Sequence, residues 1–434
     1  MRRLYTALWY AALPVLPLRL WWRGRREPGY RAHVGERFGR FAGTVRSPVL
    51  WVHAVSLGET NAARPLLERL RAHYPDATLL LTHMTATGRE AGRNLGIDGV
   101  MQAWLPYDIP ILARRFLRHF RPAAGMLLET ELWPNLIVEA RRAEVPMFLV
   151  NARLSERSAR RYERVRGLAA PAFRALAGVA AQTIGDAQRI AAFGGREPIV
   201  TGNLKFDVQA PQGAAFGDTL RTRIGARRAW LAASTRDNEE ALLLDAWLPR
   251  RGGELLVIVP RHPQRFDDVA RLLQARGLRF ARRSDDKPWP ADIDVLLGDS
   301  MGEMAAYCGG VDAVFIGGSL LPLGGQNLIE PIALGKATLV GPHMFNFAAA
   351  TAAAVAAGAA VQVHSAWEAV DCLQRLLADD ASRRAMERAA IAFHAQHRGA
   401  ADRLWQWLKP QLDAALQAAA LRRGLGNVSR PGAG

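Results

Sequence analysis

Two doubly wound α/β domains, each a parallel sheet wrapped by helices, form the fold class that this sequence predicts. Three observations predict it. Apolar runs of strand length alternate with helical stretches from residue 47 to residue 206. The rhythm stops at residues 207–226, where Ala210-Pro211-Gln212-Gly213 and a low apolar content mark a linker, and it restarts at 227. Nearly every strand of the second half then ends in glycine, arginine or a carboxylate. Helices on both faces bury parallel strands completely, so such strands read as unbroken apolar runs, and their carboxyl ends are where open α/β sheets bind ligands.

In chain order, the strands expected in the first domain (47–206) are Val49–Val55, Thr78–Thr82, Ala124–Leu128, Met147–Asn151 and Val179–Gln182. Thr60–His73 and Pro110–His119 carry helical patterns between them. The second domain (227–400) is expected to hold strands at Ala229–Ala233, Leu255–Val259, Val295–Leu297, Ala313–Ile316, Ala337–Val340 and Ala360–Val363. A C-terminal helix and tail fill 401–434, and Leu404–Leu416 is apolar enough to pack back on the first domain. A chain of 434 residues that is 50% hydrophobic and 22% charged supports two full cores and excludes a disordered protein. Two cysteines, Cys308 and Cys372, exclude a disulfide framework and fit a reducing compartment. No CxxC or His/Cys cluster is present, so no metal cofactor is expected.

The net charge of +17 calls for an anionic partner. Residues 1–46 hold ten arginines and two acids, a net of +8. These arginines adjoin an apolar run, Leu4 to Leu18, and Trp9, Trp21 and Trp22. Apolar, aromatic and basic groups in one segment suit a membrane interface better than nucleic acid, for which no reading motif is present. The run is shorter than the roughly twenty residues needed to span, and Pro14 and Pro17 interrupt it. Arg19 to Arg26 stand where a signal-peptide cleavage site would fall. Residues 1–46 are therefore read as an anchor on an anionic membrane surface, spanning or lying in the interface, with the body cytoplasmic by the positive-inside bias.

The segment Phe315-Ile316-Gly317-Gly318-Ser319, then Gly324-Gly325-Gln326-Asn327-Leu328-Ile329-Glu330-Pro331, carries the densest signal. A buried strand ends in Gly317, Gly318 and Ser319, whose N–H groups can approach an anion. A second glycine pair opens a short helix, and Glu330 is placed to accept hydrogen bonds from ribose hydroxyls. Elsewhere in the domain, strands end in Ser234-Thr235-Arg236, with Glu239-Glu240 beyond; in Pro260-Arg261-His262-Pro263; and in Asp299-Ser300-Met301-Gly302-Glu303-Met304. Arg261 is a natural phosphate or base-edge contact. His262 serves either the site or a turn, and Asp299 and Ser300 either the site or a helix N-cap. In the first domain, Ser56 and Glu59 fit both a capping box and a catalytic carboxylate facing the cleft. Glu129-Thr130-Glu131 follows another strand; if extended, its two carboxylates point to opposite sides, and only one need enter the cleft. Lys205, one of only four lysines, sits in Asn203-Leu204-Lys205-Phe206-Asp207.

With these motifs in this order, the chain resembles the 3-deoxy-D-manno-octulosonic acid (Kdo) transferases of lipopolysaccharide synthesis. The resemblance rests on His53 to Glu59, Glu129 to Asn135, Gly202 to Asp207, Pro260 to Pro263, Asp299 to Met304 and Gly324 to Pro331. It implies a GT-B fold, two Rossmann-like domains facing a cleft, with CMP-Kdo as donor and a lipid A precursor as acceptor at the cytoplasmic face of the inner membrane. It implies that Glu59 is the catalytic base and that Glu129 and Lys205, with Glu131 less firmly, stabilise the transition state. It also implies that Pro260, Arg261, Met301, Gly302, Glu303, Met304, Asn327, Leu328, Ile329 and Glu330 hold CMP; Gly317, Gly318 and Ser319, on the donor side as well, are read from their own chemistry as making room for the sugar. Gln326 departs from the histidine of some relatives. Two rivals share parts of this pattern: a GT-B transferase using a UDP-sugar, and a basic membrane-surface lipid-binding protein without catalysis.

Overall fold

Seven strands, all parallel, carry the first of two units, which comprises Met1–Val208 and Arg398–Gly434. They are β1 (Val49–His53), β2 (Thr78–His83), β3 (Val100–Trp104), β4 (Pro122–Leu128), β5 (Met147–Ala152), β6 (Gly178–Ala181) and β7 (Ile199–Val200). The second unit, Gln209–His397, holds seven more parallel strands. These are β8 (Ala229–Thr235), β9 (Leu255–Pro260), β10 (Phe280–Arg282), β11 (Val295–Leu297), β12 (Ala313–Ile316), β13 (Ala337–Val340) and β14 (Ala360–Gln362). This computed structural model describes residues 1–25, 27–207, 214–285 and 289–428.

The strand orders are β3-β2-β1-β4-β5-β6-β7 and β10-β11-β9-β8-β12-β13-β14. Each order reverses once, between β1 and β4 and between β8 and β12. Loops leaving the carboxyl ends of the two strands at such a switch point diverge to opposite faces and leave a crevice. The strands lining both switch points are buried on both faces, as their unbroken apolar sequences require. Three strands escaped the sequence reading: β3, β7 and β10. All three are edge strands, short and only partly buried, so the apolar run that marks a central strand is missing.

One face of the first sheet is covered by a core that includes Trp51, Phe116, Phe120 and Phe173. The other is covered partly by the C-terminal helix Ala400–Val428, whose Leu404, Trp405, Leu408 and Leu412 join Leu50, Val52 and Leu66. Each buried leucine of that helix contributes about 2 kcal/mol of transfer free energy. Asp207 tethers the start of this helix by accepting the N–H groups of Gly399 (2.5 Å) and Ala401 (2.6 Å).

The expected linker 207–226 needs correction. Residues 208–213 lie outside the described residues, but Ala214–Ile224 is a helix. It belongs to the second unit, buries Leu220, and joins it to β8 through Arg221, which reaches Asp312 and the carbonyls of Gly225 and Arg227. The polar composition read as a linker is that of a surface helix.

The N-terminal segment forms two helices, Arg2–Ala12 and Leu16–Arg23, broken at the expected proline region. The first docks by one side only. Thr6 hydrogen-bonds Asn135 (3.1 Å), and the Trp9 ring lies 5.6 Å from that of Tyr107. Leu4, Leu8, Val15, Leu18, Trp21 and Trp22 are all more than half exposed. No helix among the described residues is long and apolar enough to cross a membrane.

Candidate active site

The first cluster gathers at the carboxyl ends of β1 and β4. Ser56 caps the helix Leu57–His73, and its hydroxyl accepts the Glu59 N–H (3.4 Å). Glu59 replies through its side chain: one oxygen accepts from the Ser56 hydroxyl (2.9 Å), the other from the Val55 N–H (2.9 Å). The capping box is therefore real, but it does not exhaust the residue. Burial, and then the negative charges of Glu129 and Glu131, push the Glu59 carboxyl up to about 8, against the pull of its two hydrogen bonds. A carboxylate in that range is matched to accepting a proton near neutral pH.

The loop after β4 decides how two carboxylates reach one place. Glu129 takes a left-handed conformation, φ 58°, and the Leu132 N–H bonds back to the Thr130 carbonyl (2.9 Å). The loop curls instead of extending, so the two carboxylates are not held on opposite sides as an extended segment would hold them: both act on Glu59, Glu129 the more strongly. Burial, reinforced by Glu129, raises Glu131 to about 7. A non-glycine residue held at positive φ is strained by about 1–3 kcal/mol, a kind of strain that concentrates at functional sites.

Lys205 completes the cluster. Its ammonium lies 2.7 Å from the Glu129 carboxylate, and both side chains are largely buried. Lys205 follows β7, three strands from β4, and is brought back by its turn. Asn151, also left-handed (φ 51°), accepts the Leu204 N–H through its side chain (3.0 Å), which pins that turn to the end of β5. Sequence reasoning passed over Asn151; an asparagine closing an apolar strand was the available signal.

The second unit corrects the densest sequence signal. The N–H groups of Gly318, Ser319 (2.9 Å) and Leu320 (3.0 Å) do form an anion cradle, but its occupant is the fully buried carboxylate of Glu239, which also accepts the Arg236 N–H (2.9 Å). The Ser319 hydroxyl is equally committed, donating to the Ile316 carbonyl and accepting the Gly341 N–H (2.8 Å). Gly317 is required by close packing: a Cβ there would lie 2.6 Å from the Ser234 carbonyl. These three residues build the switch point of the second sheet and offer no free cradle to a ligand.

The second glycine pair also plays another part. Gly324 and Gly325 have positive φ and are packed against Asn346 and Met344; the helix Ile329–Ala333 begins four residues later. Leu328 and Ile329 are core residues, so their side chains are withdrawn from any ligand. Asn327 is exposed, and its side chain accepts the Ile329 N–H (3.1 Å). Burial raises the Glu330 carboxyl.

Arg261 leaves β9 next to β8, its N–H bonded to the Thr235 carbonyl (2.9 Å). Pro260 is the last residue of β9 and is buried. The Met301–Met304 segment follows β11, the next strand out. There Glu303 pairs with Arg283 (3.0 Å) and accepts from the Ser300 hydroxyl (2.5 Å), whose oxygen lies 2.7 Å from the Tyr307 hydroxyl. Asp299 accepts from Ser284. Neither Asp299 nor Ser300 caps the helix Met304–Gly310, whose N-cap is Glu303 without a side-chain bond. Met301 is exposed, and Gly302, at φ 83°, faces open space. Among the described residues no group of three or more His, Cys, Asp or Glu is arranged to hold a metal ion.

Known proteins are similar to this chain in sequence and in fold. Residues 32–208 match the family model described as 3-deoxy-D-manno-octulosonic-acid transferase (kdotransferase). A 3-deoxy-D-manno-octulosonic acid transferase of Bordetella pertussis is 43% identical over 430 residues, covering 94% of this chain and 99% of that protein. One from Haemophilus influenzae is 35% identical over 423 residues, 95% and 99% of the two chains. Among solved structures, the UDP-GlcNAc 2-epimerase of Neisseria meningitidis superposes with a TM-score of 0.57, covering 83% of this chain and 99% of that one at 14% identity. That likeness is one of fold: two parallel-sheet α/β domains of the GT-B kind.

Proposed function

We propose that this chain, a glycosyltransferase that belongs to the 3-deoxy-D-manno-octulosonic acid transferase family, moves Kdo from CMP-Kdo to a lipid A precursor with inversion at the anomeric carbon. The observation that carries the mechanism is Glu59, a carboxyl raised to about 8 at the switch point of the first sheet. In this reading an acceptor hydroxyl oxygen attacks the anomeric carbon, and Glu59 takes the hydroxyl proton. The bond from that carbon to the phosphate oxygen breaks, and CMP leaves with the electron pair. Lys205, held by Glu129, supplies positive charge close to the base, where charge redistributes in the transition state.

The donor is assigned to the second unit. Arg261 balances the phosphate and Glu330 accepts from the ribose hydroxyls, so no metal is invoked. Asn327 and the open backbone at Gly302 complete the nucleotide contacts. The N-terminal helices are assigned to the cytoplasmic face of the inner membrane, lying in the interface. Their exposed leucines enter the acyl region, Trp21 and Trp22 sit among headgroups, and arginines meet anionic lipid.

Purified protein, CMP-Kdo and a lipid A precursor, with products read by mass spectrometry, test the reading. Kdo addition is expected, and Glu59→Gln is expected to remove it while leaving CMP binding. Transfer from UDP-sugars alone would overturn the donor assignment.

A further inference from the structure

Three acids lie in the turn and helix start after β8, and each is already engaged. Asp237 and Glu240 both bind Arg265, at 2.5 and 2.6 Å, and Glu240 also accepts from Thr235 (2.7 Å). Glu239 is consumed by four backbone N–H groups. Arg236 and Arg261 are left over. They follow the paired residues Thr235 and Pro260, side by side on the carboxyl edge of β8 and β9. Neither forms an ion pair with a carboxylate among the described residues, and the Arg236 Nε is buried with no hydrogen-bond partner. Their charges act on each other and on His262, whose imidazole is held below its ordinary value by burial and then by Arg236 and Arg261. Two adjacent, partly buried cations without counter-charge cost stability, and a bound ligand with matching anions removes that cost.

The donor carries two such anions, the phosphate of CMP and the carboxylate of the sugar acid. We propose that Arg236 and Arg261 divide them: Arg261 holds the phosphate, and Arg236 holds the sugar carboxylate. The placement supports this division. Arg236 packs beside Gly318, its Cγ 3.4 Å from where a Cβ would stand, and that position is flanked by the Gln326 amide. Gln326 thus stands as a neutral hydrogen-bonding neighbour to the same carboxylate. Arg236 is then what separates a sugar acid from an uncharged sugar on the same nucleotide. The inference rests on the CMP-Kdo reading above.

Calorimetric titration of CMP and of freshly prepared CMP-Kdo into the full chain tests it. Arg261→Gln is expected to weaken both ligands by about tenfold or more. Arg236→Gln is expected to weaken CMP-Kdo by about tenfold or more and to leave CMP within about twofold of wild type. Equal losses for the two ligands, or no loss, overturn the division. If Arg236→Gln does not fold, Arg236→Lys replaces it: it must weaken CMP-Kdo more than CMP, and equal effects overturn the proposal. Failure of the wild-type chain to bind CMP-Kdo at all instead overturns the donor reading on which the inference stands.

Discussion

The Glu239 carboxylate accepts the backbone N–H of Ser319 at 2.9 Å, closing an anion cradle from within the protein. The pair joins the helix after β8 to the turn after β12 and sets the geometry of the switch point. Glu239→Ala leaves four N–H groups without this acceptor. It is expected to cost about 3 kcal/mol or more and to lower donor affinity by loosening the Arg236 turn. Thermal unfolding and CMP titration check both effects.

Activity should follow the ionisation of the Glu59 cluster. With Glu59 raised to about 8 and Glu131 to about 7, kcat/KM should climb with pH through that range, the apparent values belonging to the cluster as a whole. A pH–rate profile flat from 6 to 9 would remove Glu59 as the base.

Stability should move the opposite way. A carboxyl raised in the folded state keeps its proton where the unfolded chain has ionised. The contribution of Glu59 is therefore fully present below its ordinary value of 4.5 and is lost as the pH rises through about 8. Glu59→Gln should flatten the fall in stability between those limits. Denaturant unfolding of both proteins at several pH values is the check.

Glu129 should separate activity from stability. Glu129→Gly removes the ion pair with Lys205 but relieves a left-handed backbone at φ 58°. Leaving the largely buried Lys205 without its partner costs about 3–5 kcal/mol, and the relieved strain of about 1–3 kcal/mol offsets only part of it, so a net loss of about 2 kcal/mol is expected. Transfer should fall by at least about 100-fold, on the order of other electrostatic catalytic groups. A variant that keeps its activity would reduce Glu129 to a structural role.

The exposed face of the N-terminal helices should carry membrane binding. Leu4→Glu with Leu8→Glu is expected to lower binding to anionic vesicles on the order of 100-fold. Both residues are more than half exposed, so stability should not change. Sedimentation with vesicles and thermal unfolding, run together, distinguish loss of an interface from loss of fold.

Much of this molecule was legible in the chain because its signals are local. Val49–His53 and Ala313–Ile316 are unbroken apolar runs of strand length, and only a sheet covered on both faces buries such runs in series with helices. The capping box of Ser56 and Glu59 was legible because a strand, a cap and a carboxylate fall within a few residues. The edge strand Val100–Trp104, mixed in burial, and the helix Ala214–Ile224, polar in composition, were not.

The sequence by itself determined the two parallel-sheet domains, the family motifs, and the residue types available at each strand end. Only the tertiary structure decided which of those groups remain free. Glu239 and the turn at Gly318 are separated by about 80 residues and meet because β8 lies next to β12, an adjacency that no local pattern encodes. Glu129 meets Lys205 because the turn after β7 is pinned back to β5. Hydrogen bonds and charges are satisfied by whatever the fold brings within a few ångströms. The fold thus filled the glycine cradle with a carboxylate and, among the described residues, left Arg236 and Arg261 without one.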